Sequence, residues 1–132
     1  MKSSAKSNLV LGFVFFLIIV LDQASKFLVS LKFQFICNYN GPFGVVGNFS
    51  AISIFILILI GFLILREEDK YLRLAYAGIL AAGISNLVDR LVLGCVRDFI
   101  NLGFWPAFNF ADSIITVCVL AIVYKLGKGL IR

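Results

Sequence analysis

Apolar positions along the chain gather into four long runs with polar residues at their ends. Leu9–Leu21 stops at Asp22, and a helical pattern continues through Lys26 toward Ser30. Phe49–Leu65 is seventeen residues without a charge. Leu74–Leu93 is uncharged until Asp89, and Asn109–Leu126 carries Asp112 in its first turn. A helix crossing a bilayer takes about 20 apolar residues, with a range of about 17–25. The pattern therefore predicts four transmembrane helices, over about 9–30, 49–65, 74–93 and 109–126, in one domain covering 1–132. The second is short for a span, which suits either a start a little earlier or a thin bilayer.

Two stretches between the runs follow a different period. Leu31, Phe33 and Phe35 alternate with Lys32, Gln34 and Ile36, and Asn40-Gly41-Pro42 reads as a turn. Val96, Asp98 and Ile100 alternate with Arg97, Phe99 and Asn101. Only helices are expected within hydrocarbon, because backbone groups must be satisfied there without water. The expected fold is thus an all-α membrane protein, four transmembrane helices with a small β-rich extracytoplasmic cap.

Composition agrees with that class. The chain is 61% hydrophobic and 14% charged, with a mean hydropathy of +1.04, which excludes an ordinary soluble protein. The net charge of +5 belongs to loops that set orientation and meet anionic headgroups. No basic stripe with interleaved aromatics is present, so nucleic acid is not an expected partner. With the N-terminus placed in the cytoplasm, the inner segments hold Lys2, Lys6, Arg66, Lys70, Arg73, Lys125, Lys128 and Arg132. The outer ones hold Lys26, Lys32, Arg90 and Arg97. Eight against four puts both termini inside. Met1–Ala24 has the basic start of a cleaved signal peptide but no A-x-A-like site after its apolar run, so it reads as a retained helix.

The chain contains no His, which removes Ser-His and Cys-His mechanisms and His-based zinc sites. Cys37, Cys95 and Cys118 are too widely spaced for a metal site. Neither a metal nor a cofactor is expected. Cys118 reads as core filler. A Cys37–Cys95 disulfide requires both to be extracytoplasmic, and the spacing leaves the pairing open.

Four of the seven acids, Asp22, Asp89, Asp98 and Asp112, lie in or beside apolar runs. A carboxylate at mid-bilayer costs roughly 2.5–3.5 kcal/mol, and such residues usually face a protein interior where they have a task. Alternating topology brings all four to the outer surface, since helices one and three end there and helix four begins there. Asp22 and Lys26, at i,i+4, read as an intrahelical ion pair with a supporting role. Asn86 and Arg90 share a face of helix three, and Asp89 reads as a stabiliser of that helix end. Asn109 and Asp112, at i,i+3, read as a cap and its partner at a helix start. Asp98 has a pairing option in Arg97 or Arg90. Beside Asp112 it makes a two-carboxylate arrangement in which one proton is shared. One acid then acts as base on a water while the other donates to a carbonyl.

These residues fall in spaced motifs. Asp22 to Lys26 follows D-x-x-x-K, and Asn38 to Gly44 resembles N-x-G-x-x-F-G. Ser85 to Arg90 is similar to G-N-x-x-D-R, Gly94 to Phe99 to G-x-V-x-D-F, and Phe108 to Asp112 to F-N-x-A-D. Five such motifs in order resemble the lipoprotein signal peptidases (signal peptidase II), aspartic endopeptidases of the bacterial inner membrane. The resemblance implies Asp98 and Asp112 as the catalytic pair. It places Asn38, Asn86, Arg90, Asn109, Asp22 and Lys26 around them as supporting or substrate-binding residues. It implies a monomer among membrane lipids, with its active site on the periplasmic side. The implied partner is a prolipoprotein whose lipobox Cys carries diacylglycerol, cut before that Cys. Asn40, Ala81, Ala82 and Ser85 stand where the family pattern has Gly, which bears on fine specificity and helix approach rather than on the pair.

Two other classes compete. A serine/lysine peptidase would have to draw on Ser25, Ser113, Lys26 and Lys32. It needs a desolvated, neutral lysine, whereas Asp22 holds Lys26 charged. A carrier or proton conductor would spread polar groups through the membrane depth, but the middles of all four runs are apolar.

Overall fold

The computed structural model describes residues 2–39 and 49–130. The Asn40-Gly41-Pro42 turn and the rest of the second motif to Gly44 lie outside the described residues, as does Arg132. The chain is mostly helical: α1 (Lys2–Lys32), β1 (Ile36–Asn38), α2 (Phe49–Arg66), α3 (Lys70–Leu93), β2 (Val96–Asp98) and α4 (Phe110–Leu130).

Helix α3 is the hub, packing against α1, α2 and α4. Its buried positions include Ala75, Ala77, Gly78, Ala81, Ala82 and Ser85, small residues that let helix backbones approach closely. A Cβ on Gly78 would lie 2.7 Å from Cys118 Sγ on α4, and one on Gly83 would lie 2.6 Å from Leu57 Cδ2 on α2. Ile18, Ala81, Ala82 and Ala111 form the core cluster, flanked by Val14, Phe15, Ile19, Ile114 and Ile115. Large apolar side chains point outward instead: Leu9, Phe13 and Phe16 on α1, Phe55, Ile58 and Phe62 on α2, Leu120 and Val123 on α4. Such a surface is stable under lipid and not under water. Among the described residues, three helices are long and apolar enough to cross a membrane, over Ser7–Lys32, Lys70–Leu93 and Phe110–Gly129. The apolar part of α2, Ser50–Arg66, is shorter.

Helix ends follow local chemistry. Asp69 caps α3, accepting from the backbone amides of Tyr71 at 2.8 Å and Leu72 at 3.0 Å. It also pairs with Lys125 of α4. Gly94 ends α3 at φ 77°, a left-handed conformation that favours glycine. The period-two reading of Leu31–Ile36 gives way at its start. Helix α1 runs on through Lys32, the Phe33 amide still bonds Val29 O at 2.8 Å, and strand begins only at Ile36. The i,i+4 ladder already running outweighs so short an alternation.

The cap is a two-stranded antiparallel sheet with Ile36 opposite Asp98, Cys37 opposite Arg97 and Asn38 opposite Val96. Cys37 and Cys95 form a disulfide. Beyond β2 the chain folds back through an Ile100–Phe108 bridge, turning at Gly103, φ 80°. That return delivers Asn109 and the start of α4 to the side of Asp98.

Candidate active site

Asp98 ends β2 and is 2% exposed. Its Oδ1 accepts from Asn109 Nδ2 at 2.8 Å and its Oδ2 from Asn38 Nδ2 at 3.0 Å. Burial pushes its carboxyl up from 3.8 to about 6 and the negative charge of Asp112 adds to this, while the Asn38 and Asn109 amides oppose it. It pairs with neither Arg97 nor Arg90 by hydrogen bond. Arg97 turns to Asp89, because successive strand residues face opposite ways.

Asp112 sits in the first turn of α4, where Asn109 is the N-cap. The Asp112 amide donates to Asn109 Oδ1 at 3.0 Å and the Asn109 amide donates to Asp112 Oδ2 at 3.1 Å, a reciprocal capping box. Its other oxygen accepts from Asn86 Nδ2 at 2.9 Å. Asn109 therefore hydrogen-bonds both carboxylates, one through its side chain and one through its backbone.

Asn86 joins this pair to α1. Its Oδ1 accepts from Lys26 Nζ at 2.8 Å and from Asn109 Nδ2 at 3.1 Å, so each atom of its amide is committed. Lys26 is 1% exposed and lies 2.6 Å from Asp22 and 3.4 Å from Asp89. Asp22 also accepts from Ser85 Oγ at 2.6 Å and from the Ala111 amide at 2.8 Å, which ties α1 to the first turn of α4. Asp89 accepts from Arg97 Nη2 at 2.8 Å, Nε at 3.2 Å and backbone amide at 3.1 Å, and from Gln23 at 3.0 Å. Asp22, Lys26, Asp89 and Arg97 balance two negative charges with two positive ones, as buried ions require.

Both carboxylates open onto a cavity of about 640 Å³ that Asn38, Asn86, Arg90, Tyr39, Trp105 and Phe108 help to line. Arg90 Nε is buried and without a hydrogen-bond partner among the described residues. The structure thus brings Asn38, Asn86, Arg90, Asp98, Asn109 and Asp112 to one cavity, with Asp22 and Lys26 behind it. Gln23, Ser85 and Arg97 complete the supporting network, a role that the sequence reading assigns to none of them. Gln23 donates to Ser85 Oγ at 2.9 Å across 62 residues, a contact no local spacing announces. For Arg97, strand alternation was the available signal. Among the described residues no group of three or more His, Cys, Asp or Glu is arranged to hold a metal.

Residues 14–128 match the family described as "Signal peptidase (SPase) II". The chain belongs to the signal peptidase II family. A lipoprotein signal peptidase of Thermodesulfovibrio yellowstonii is 33% identical over 83% of this chain and 89% of its own. One from Borrelia hermsii is 32% identical over 90% of this chain and 92% of its own. A solved bacterial membrane enzyme shares the fold at TM-score 0.81 and 22% identity, over 90% of this chain and 88% of that one. A second does so at TM-score 0.78. Against the signal peptidase II motif pattern, Ser85 is the departure with a visible consequence. Where the pattern has Gly, its hydroxyl reaches Asp22.

Proposed function

We propose that the chain is a membrane aspartic endopeptidase that removes the signal peptide from diacylglyceryl-modified prolipoproteins, with Asp98 and Asp112 as its catalytic pair. The observation that carries this reading is Asn109, whose side chain and backbone hold the two carboxylates to one residue. Two carboxylates at one site favour a single shared proton. The ionised member takes a proton from water as the oxygen attacks the scissile carbonyl, and the protonated member donates to the carbonyl oxygen. Return of a proton to the amide nitrogen then releases the signal peptide from the lipidated Cys. Asn38, Asn86 and Asn109 fix the carboxylates without adding charge, and Arg90 offers the cavity a cation. Asp22 and Lys26 support the pair from behind.

The same reading places α2 in the membrane as a fourth span. Its 18 residues reach about 27 Å at 1.5 Å per residue, near the ~30 Å of hydrocarbon. Both termini lie in the cytoplasm and the cap in the periplasm of a bacterial inner membrane. The excess of basic residues on the other side supports this, and so does the Cys37–Cys95 disulfide, a bond of oxidising compartments. On this reading the chain works as a monomer surrounded by lipid.

Cleavage of one prolipoprotein in lipidated and unlipidated form tests the substrate class. Turnover of the lipidated form alone is the expected result. Equal turnover of both would remove the lipid from the recognition.

A further inference from the structure

The strands of the cap are three residues each, and a two-stranded ribbon is marginal alone even when longer. Yet they carry a contact at the centre of the site, Asn38 Nδ2 to Asp98 Oδ2 at 3.0 Å. β2 has its own anchors, since Arg97 bonds Asp89 through side chain and backbone. It also runs on into the Ile100–Phe108 bridge. β1 follows α1 after three residues. What joins it covalently to β2 is the Cys37–Cys95 disulfide, with Cα atoms 5.5 Å apart. Cys37 is the residue beside Asn38, and Cys95 lies three before Asp98.

We propose that the Cys37–Cys95 disulfide is a positioning element of the peptidase, holding Asn38 against Asp98 so that full turnover requires the oxidised chain. This rests on Asp98 being catalytic. Cys37 is half-buried while Cys95 is 2% exposed, so Cys37 is the one an exchange partner reaches. Formation takes two electrons and two protons from the thiols. The Cys37 thiolate attacks the disulfide of an oxidant of the glutathione-disulfide or dithiol-oxidase class and releases one thiol. The Cys95 thiolate then attacks the Cys37 sulfur and expels the second. A dithiol reductant reverses both steps.

Neither step requires the helices to part, because the anchors of β2 and the Asp22–Lys26–Asp89 cluster do not involve either sulfur. Loss of the link removes the covalent tie between β1 and β2 and loosens the Asn38 amide on Asp98. The groups that face Asp98 from the other elements, Asp112, Lys26, Arg90 and Asn109, remain. The expected loss in kcat is about tenfold, the kinetic equivalent of one hydrogen bond to a charged group.

The test uses the full chain in lipid or detergent, with lipidated prolipoprotein as substrate. The oxidised, dithiothreitol-reduced and glutathione-disulfide-reoxidised forms are compared. Alkylation of the denatured chain reports the state by mass, with one free thiol, Cys118, before reduction and three after it. The expected result is a fall in kcat at nearly constant KM, restored on reoxidation. The double variant C37S/C95S should match the reduced enzyme and ignore reductant. N38A should lose the same factor while oxidised and lose little more on reduction. Should the double variant fail to fold, the wild-type reduction cycle still decides. Unchanged kcat with three thiols alkylated would overturn the proposal, as would a change confined to KM. D98N, assayed in both redox states, separates this from the parent reading. Activity in D98N refutes the catalytic pair itself, whereas an inactive D98N beside a fully active reduced wild type refutes only the disulfide's role.

Discussion

Asn109 Nδ2 donates to Asp98 Oδ1 at 2.8 Å, linking the first turn of α4 to the end of β2 across eleven residues. The same side chain caps α4 through its Oδ1, so two losses can be separated by substitution. N109D keeps an acceptor for the cap but replaces the donor to Asp98 with a third acid. N109A loses both. Unfolding should find N109A less stable than wild type by about 1 kcal/mol for the cap, with N109D closer to wild type. Turnover should be low in both, and lower in N109D. A fully active N109D would show that the bond to Asp98 has no part in the reaction.

Asp98 also makes stability depend on pH. Its folded carboxyl titrates at about 6, against 3.8 ordinarily. Between those values the folded chain holds a proton that the unfolded chain has released. Stability from this group is therefore greatest below about 4 and falls as pH rises through 6. Two units at 1.36 kcal/mol each give a loss of up to roughly 3 kcal/mol. The unfolding free energy of wild type in micelles should fall relative to D98N from pH 4 to pH 7. Parallel curves would place the Asp98 carboxyl at its ordinary value.

Lys26 is the cation shared by Asp22, Asp89 and Asn86. K26M removes it and leaves two buried acids with one remaining cation, Arg97. Breaking a buried pair by removing one partner costs about 3–5 kcal/mol. We expect K26M to unfold at markedly lower denaturant and the double variant D22N/K26M to recover part of the loss. A double variant no more stable than K26M would contradict charge balance as the reason for this cluster.

Gly78 and Cys118 make a packing test independent of the site. A Cβ at Gly78 would lie 2.7 Å from Cys118 Sγ. G78A should destabilise by about 1–3 kcal/mol through overpacking, and C118A in the same chain should relieve it. Additive effects of the two substitutions would mean that α3 and α4 do not meet there.

Local spacing made part of this site legible in the sequence. Asp22 with Lys26 and Asn109 with Asp112 are neighbours on a helix, and i,i+4 and i,i+3 geometry is readable from order alone. Alternating topology also placed Asp22, Asp89, Asp98 and Asp112 at one end of the bundle, because apolar runs are the strongest signal in such a chain. Contacts between elements were less readable. Ser85 looked like a substituted glycine until its hydroxyl met Asp22, 63 residues away. Arg97 looked like a partner for Asp98 because it is adjacent, although strand alternation sends the two side chains apart. The alternation from Leu31 predicts strand there, and the running helix of α1 overrides it.

We propose that Asp98 and Asp112 together cleave the substrate, and single-turnover cleavage of a lipidated prolipoprotein tests this most directly. D98N and D112N, each verified as folded by helical content and thermal unfolding, should show no cleavage above the uncatalysed background while wild type completes the reaction. Cleavage by either variant at a rate near that of wild type would contradict the account.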